Sequence, residues 1–220
     1  MAMRRHHYER AFEAYLRRRC IPYVAVDEAR RALLPPGAHT LRLAGQPAHI
    51  WPVVDAPART GVLKSFDFVI YGHDQQQRAR NLLLEVKGRR IARRKQGAGE
   101  VAGGGSRAGG GGKPAPRTRL ENWVTHDDVT SLGTWGELFG EGFVPGFVFV
   151  YWCEEQPPDA LFQEVFDYQG RWYALRGVLL ADYRAAMKVR SPRWRTLDLP
   201  AGAFERISQP LGPAWLGSAG

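Results

Sequence analysis

Lys64-Ser65-Phe66-Asp67-Phe68-Val69-Ile70-Tyr71 and Leu82-Leu83-Leu84-Glu85-Val86-Lys87-Gly88-Arg89 each read as a strand with ionisable groups set inside an apolar run. Side chains alternate between the faces of a strand, so Glu85 and Lys87 point one way and Leu82, Leu84 and Val86 the other. Buried charges are costly unless they are paired or hold a metal. A carboxylate at Asp67 beside the carboxylate and amine of the next strand would suit a divalent metal and the water it activates. The plainer alternative places Glu85 and Lys87 on a solvated face near a strand end.

A third element lies upstream. Residues His7 to Leu16 carry apolar groups at Tyr8, Ala11, Phe12, Tyr15 and Leu16, the spacing of one helix face. Pro22 predicts that the helix stops between Cys20 and that proline. At ~100° per residue, Glu9 flanks the apolar stripe and Glu13 lies further toward solvent. Glu9 is the better candidate for a carboxylate facing a site, although an acid in a first helical turn also simply favours the dipole. An extended Tyr23-Val24-Ala25-Val26 follows.

Glu9, Asp67, Glu85 and Lys87 fall in the order of the site residues of the PD-(D/E)XK nuclease superfamily, which this chain resembles over residues 7–27, 62–89 and, more loosely, 120–153. The helix Glu followed at this distance by Tyr15-Leu16 is similar to the resolvase-like branch. His7 to Glu13 also spells the signature string of a small bacterial family named HYExAFE. Phe66 stands where the superfamily has its eponymous Pro, and Tyr8 where a glycine often precedes the helix Glu. The resemblance implies an α/β (α+β) fold, a mixed sheet flanked by helices in the order α-β-β-β-α-β. A C-terminal β-hairpin and short helix would be added to that core. It also implies a catalytic set of Glu9, Asp67, Glu85 and Lys87. Asp67 and Glu85, with Glu9 and the Val86 carbonyl, would hold Mg²⁺ or Mn²⁺. The activity implied is hydrolysis of phosphodiesters in DNA or RNA, structure-specific in repair or recombination. The alternative is a catalytically silent nucleic-acid-binding module of the same fold.

Length and composition accommodate this. The 220 residues, 44% hydrophobic, suffice for one domain, 1–220, with a sizeable core. No run approaches the ~18 apolar residues of a membrane span, and no apolar signal region precedes the first helix. Cys20 and Cys153 are too few for a disulfide framework and lack zinc-ligand spacing, so both are expected as small buried side chains in a reducing cytoplasm.

The charge is concentrated. Residues 88–119 hold nine basic side chains against the single acid Glu100, so this segment carries +8 of the chain's net +9. With runs such as Gly109 to Gly112 and almost nothing to bury, 90–119 is expected as a disordered basic loop. Arg89, Arg90, Arg93, Arg94 and Lys95, close behind the site, are the expected phosphate contacts, drawing DNA or RNA by counterion release. From Arg107 to Arg119 a solubilising insertion is an equal alternative. Nucleic acid, DNA before RNA, is the expected partner; a membrane is not, and a homodimer stays open.

Elsewhere the chain is less specific. Residues 30–61 read as an irregular insertion with a hairpin from Thr40 to Val54, and His39 and His49 as structural. Thr125-His126-Asp127-Asp128 reads as a helix start capped by Thr125, with Val129, Leu132, Trp135, Leu138 and Phe139 as its apolar face and Gly140 as its end. Its acids could face the site, but capping is their simpler role. Phe147 to Trp152 suits a strand buried on both faces. The C-terminal extension, 155–220, reads as a hairpin (Phe162 to Phe166, Arg171 to Leu175), a helix from Leu179 to Met187 and a strand from Arg195 to Leu199. Trp51, Trp123, Trp172 and Trp194 are candidates for base stacking, with core packing as the alternative for each.

Overall fold

A computed structural model describes residues 6–27, 63–72, 80–91, 120–157 and 164–210. The insertion 30–61, with His39, His49 and Trp51, lies outside the described residues, as do Arg93, Arg94, Lys95 and the glycine-rich segment beyond them.

Helix α1 (His6–Arg18) buries Ala11, Phe12, Tyr15 and Leu16, the face its periodicity predicts. It leaves through Cys20, whose φ of 53° is left-handed, before Pro22. That turn puts the Cys20 side chain in solvent, correcting the expectation of a buried thiol; Cys153 is buried as expected. Strands β1 (Tyr23–Ala25), β2 (Phe68–Ile70) and β3 (Asn81–Ile91) follow, then the two-residue β4 (Val124–Thr125). Helix α2 (His126–Phe139) leads to β5 (Phe143–Cys153). The remainder is β6 (Val165–Tyr168), β7 (Arg171–Leu179), α3 (Leu180–Ala186), β8 (Lys188–Ser191), β9 (Thr196–Asp198) and α4 (Ala201–Ile207).

Six strands form one mixed sheet in the order β1-β2-β3-β5-β7-β6. The β1-β2-β3 part is antiparallel, β5 runs parallel to β3 after the α2 crossover, and β7 and β6 return antiparallel. The hairpin therefore widens the main sheet instead of standing apart from it. Its turn is tight because Gln169 (φ 50°) and Gly170 (φ 69°) both adopt the left-handed conformation that a two-residue hairpin loop requires. A second, three-stranded sheet, β4-β9-β8, was read from sequence only as a final strand.

Period-two alternation divides the large sheet into two faces. Phe68, Ile70, Leu82, Leu84, Val148 and Val150 pack with α1. Val69, Leu83, Phe147, Phe149 and Tyr151 pack on the other side with α2, α3 and α4 residues such as Leu132, Tyr183 and Phe204. With both faces covered, β5 is an unbroken apolar run from Phe147 to Tyr151. Arg90 and Ile91 belong to β3, so the loop expected from position 90 does not start there. Among the described residues no helix is long and apolar enough to cross a membrane.

Candidate functional site

Strand register brings the first pair together. Phe68 lies opposite Leu84, which brings the preceding Asp67 beside the Glu85–Val86 stretch of β3, in the cleft that Glu85 and Lys87 also line. The Asp67 N–H donates to the Leu84 carbonyl at 3.0 Å, and the Val86 N–H donates to Asp67 Oδ2 at 2.6 Å. Lys87, two residues beyond Glu85, shares its side of β3, and its Nζ donates to Glu85 Oε1 at 2.8 Å. This side is not a solvated face. Glu85 is buried, and the Lys87 side chain is only 12% exposed.

The opposite wall comes from α2. Thr125 caps the helix by accepting from the Asp128 N–H at 3.1 Å, and Asp128 Oδ2 accepts from the Thr125 N–H at 2.9 Å. This reciprocal box turns the Asp128 carboxylate toward β3, where Oδ2 also takes Lys87 Nζ at 2.8 Å. Lys64 completes the group: its Nζ contacts Asp128 Oδ1 and lies 3.5 Å from Glu85 Oε1. Two carboxylates and two amines thus alternate in a closed ring, each lysine touching both acids. Asp128 caps its helix and faces the site at once, whereas sequence reasoning had set those roles against each other. Asp127 and His126 point elsewhere, to Arg195.

Lys64 was missed as a site residue for a physical reason. In a regular strand, residues 64 and 67 would face opposite sides. The strand begins only at Phe68, and the bend at Asp67 breaks the alternation.

These groups line a cleft of about 540 Å³ that Glu9, Tyr8, Arg89 and Trp123 also line. Helix α1 packs on the other face of the sheet, yet its first turn reaches this cleft. The Tyr8 ring lies against the backbone of Gly88, where any Cβ would overlap it, and so fixes the helix start beside β3. A side-chain-free position on the strand accommodates the Tyr8 ring. Glu13 is held away from the cleft by Arg17 at 2.6 Å and the Tyr23 hydroxyl at 2.7 Å.

The two aspartates are shifted in opposite directions. Burial pushes the Asp67 carboxyl well above the usual carboxylate range, and the negative charges of Glu85 and Glu9 add to this against the Val86 N–H. Burial acts upward on Asp128 too, but the Lys87 charge and the hydrogen bonds from Lys64, Lys87 and Thr125 bring it down to about 2.

The expected phosphate contacts separate. Arg89 lines the cleft with its guanidinium 4.1 Å from the centre of the Trp123 ring, donating to the Gly88 and Trp123 carbonyls. Arg90 turns out of the cleft to pair with Glu154 over the Trp152 ring.

A divalent cation needs oxygen ligands. Among the described residues, no group of three or more His, Cys, Asp or Glu side chains is placed to hold a metal ion. Asp67 and Glu85 are the two neighbouring carboxylates of the cleft: burial first and then the Glu85 charge push Asp67 up, while Glu85 is paired with Lys64 and Lys87. No protein-family model, curated protein or solved structure matches the chain, so it is the geometry of this cleft that bears on function.

Proposed function

We propose that the chain is a metal-dependent nuclease of the PD-(D/E)XK type, similar to the resolvase-like branch, that hydrolyses phosphodiester bonds in DNA or RNA. One observation carries this reading. Asp67, Glu85 and Lys87 line one cleft with Glu9, and the main sheet takes α1, β1, β2, β3, α2 and β5 in that order, with the short β4 going to the small sheet and with β3 and β5 parallel.

Asp67 and Glu85 would hold Mg²⁺ or Mn²⁺, with Glu9 adding negative charge from the helix side. The bound ion would stabilise charge on the scissile phosphate and acidify a coordinated water. Lys87 orients the attacking water and holds its proton network, because its amine is fixed between Glu85 and Asp128 instead of sweeping through solvent. Asp128 is a positioning residue for that amine. Lys64, 46% exposed along its side chain, is free to swing toward an incoming phosphate while Lys87 keeps Asp128 neutralised.

A second reading has its own support. Lys64 and Lys87 together neutralise Glu85 and Asp128, an arrangement that stands without any metal and suits a silent binding module. The test is incubation of the purified full-length chain with duplex, single-stranded and branched DNA and with RNA, in Mg²⁺, in Mn²⁺ and in chelator. Cleavage that requires the ion and disappears in Asp67→Ala and Glu85→Ala, with binding retained, is the expected result. Binding with no cleavage of any substrate would favour the module.

A further inference from the structure

Among the described residues, strand β8 forms an edge of the small sheet and pairs with β9 alone. Along it and the following turn, Lys188, Val189, Arg190, Pro192, Arg193, Trp194 and Arg195 are all exposed. Trp194 at 69% and Val189 at 66% are the most exposed large hydrophobic side chains among the described residues. Residues 188–195 contain four basic side chains and no acid. A bare basic edge would serve simply to prevent strand addition, but that purpose gives no reason to keep a tryptophan in water. The Arg193 guanidinium lies 5.2 Å from the Trp194 ring centre, an aromatic face with a cation at its side.

This edge is continuous with the cleft. The Arg190 guanidinium lies 5.3 Å from the ring centre of Trp123, the same ring that carries Arg89 on the cleft rim. The turn is tied to the cleft wall, since the His126 N–H at the start of α2 donates to the Arg195 carbonyl at 2.8 Å and Arg195 pairs with Asp127. Cations and ring faces therefore run from Arg89 through Trp123 to Arg190, with the Glu121 carboxylate beside Trp123 and Arg89, and Arg193 and Trp194 follow on the adjoining turn.

We propose that β8 and its turn bind an unpaired nucleic-acid strand as it leaves the cleft. Lys188, Arg190 and Arg193 contact its phosphates, and a base stacks on Trp194. Single strands are held by this combination of a basic track and exposed aromatic faces, whereas a paired base offers no free face to the ring. The inference rests on the nuclease reading and specifies its substrate as one with an unpaired segment.

Binding of a fluorescein-labelled 20-nucleotide oligothymidine and of a 20-base-pair duplex, both in chelator so that nothing is cut, tests this in the full chain. Trp194→Ala should weaken oligothymidine binding by about tenfold and duplex binding less than twofold, and Trp194→Phe should restore most of the loss. The combined Lys188→Gln, Arg190→Gln, Arg193→Gln variant should bind both probes more weakly. Its plot of log affinity against log salt for the single strand should be flatter by up to ~0.7 per lost contact. All substituted side chains are exposed, and a thermal midpoint equal to wild type checks that the fold is kept. Oligothymidine affinity within twofold of wild type in both variants would overturn the proposal and leave the nuclease reading standing. Equal weakening of both probes by Trp194→Ala, without rescue by Phe, would also overturn it. A wild-type chain that binds neither probe and cuts nothing would overturn both.

Discussion

Asp67 and Asp128 line one cleft, yet the carboxyl of the first is pushed up and that of the second is held down. The difference lies in what each carboxyl meets there. Asp128, on the α2 wall, meets two amines reaching across from Lys64 and Lys87 and the Thr125 N–H, enough to overcome desolvation and hold the carboxyl at about 2. Asp67 meets the backbone N–H of Val86 and lies beside another carboxylate. Charge on Asp128 thus maintains the structure, whereas charge on Asp67 opposes it. Residues kept against stability in a cleft are where function is sought.

The largest expected effect follows from that contrast. Asp67→Asn should lower single-turnover cleavage by about a thousandfold, since losing several kcal/mol of transition-state stabilisation has that consequence. Its thermal midpoint should stay level or rise, because the neutral amide cannot carry the charge that burial and Glu85 oppose. A clear fall in stability would mean that the Asp67 charge supports the fold, and the contrast with Asp128 would collapse.

Asp128 should behave in the opposite way. Asp128→Ala removes the shared partner of Lys64 and Lys87 and half of the capping box, at a cost of about 3–5 kcal/mol for a broken buried pair and about 1 kcal/mol for the cap. Urea unfolding measures this. Asp128→Asn keeps an oxygen for the Thr125 N–H and should lose less. The pH dependence has a definite sign. With a folded value of about 2, below the ordinary ~3.9, Asp128 adds stability above pH ~4, and that contribution is lost as the pH falls toward 2.

A smaller effect tests how α1 is held at the cleft. Gly88→Ala places a methyl group into the Tyr8 ring and should cost about 1–3 kcal/mol as an overpacked contact. Pairing it with Tyr8→Gly in a double-mutant cycle should recover part of that loss. Additive losses would show that Tyr8 and Gly88 do not form one unit.

The parts of this arrangement that could be read from sequence are those governed by local rules. The alternation from Leu82 to Lys87 fixes which side chains share a face, and Thr125 with Asp128 and Gly140 marks both ends of α2. Lys64 escaped because it precedes the strand, beyond the reach of period-two logic. The docking of the β6–β7 hairpin against β5 escaped for another reason. Phe166 and Tyr173 identify a hairpin with an apolar face, but nothing local states which sheet edge receives that face. The edge strand β8 was illegible because Lys188-Val189-Arg190-Ser191 has no core of its own; it is a strand only because β9 pairs with it.

Glu164 offers the smallest effect and the cleanest control on the whole comparison. It lies far from the lysine ring, receives the Tyr15 hydroxyl, and has Arg19 no nearer than 3.9 Å. Burial alone raises its carboxyl from 4.5 to about 7, the behaviour expected of Asp128 if the lysines were absent. Between pH ~4.5 and 7 the native chain then binds more protons at this site than the unfolded chain does. Stability contributed here is therefore full below pH ~4.5 and declines as the pH rises through 7. The thermal midpoint of wild type relative to Glu164→Gln should fall steadily between pH 5 and 7.5, because the glutamine cannot ionise and Asp67 titrates alike in both proteins. A difference between the two that stays constant with pH would mean that Arg19 neutralises Glu164 after all. Burial without a close cation would then no longer explain why Asp67 and Asp128 part company.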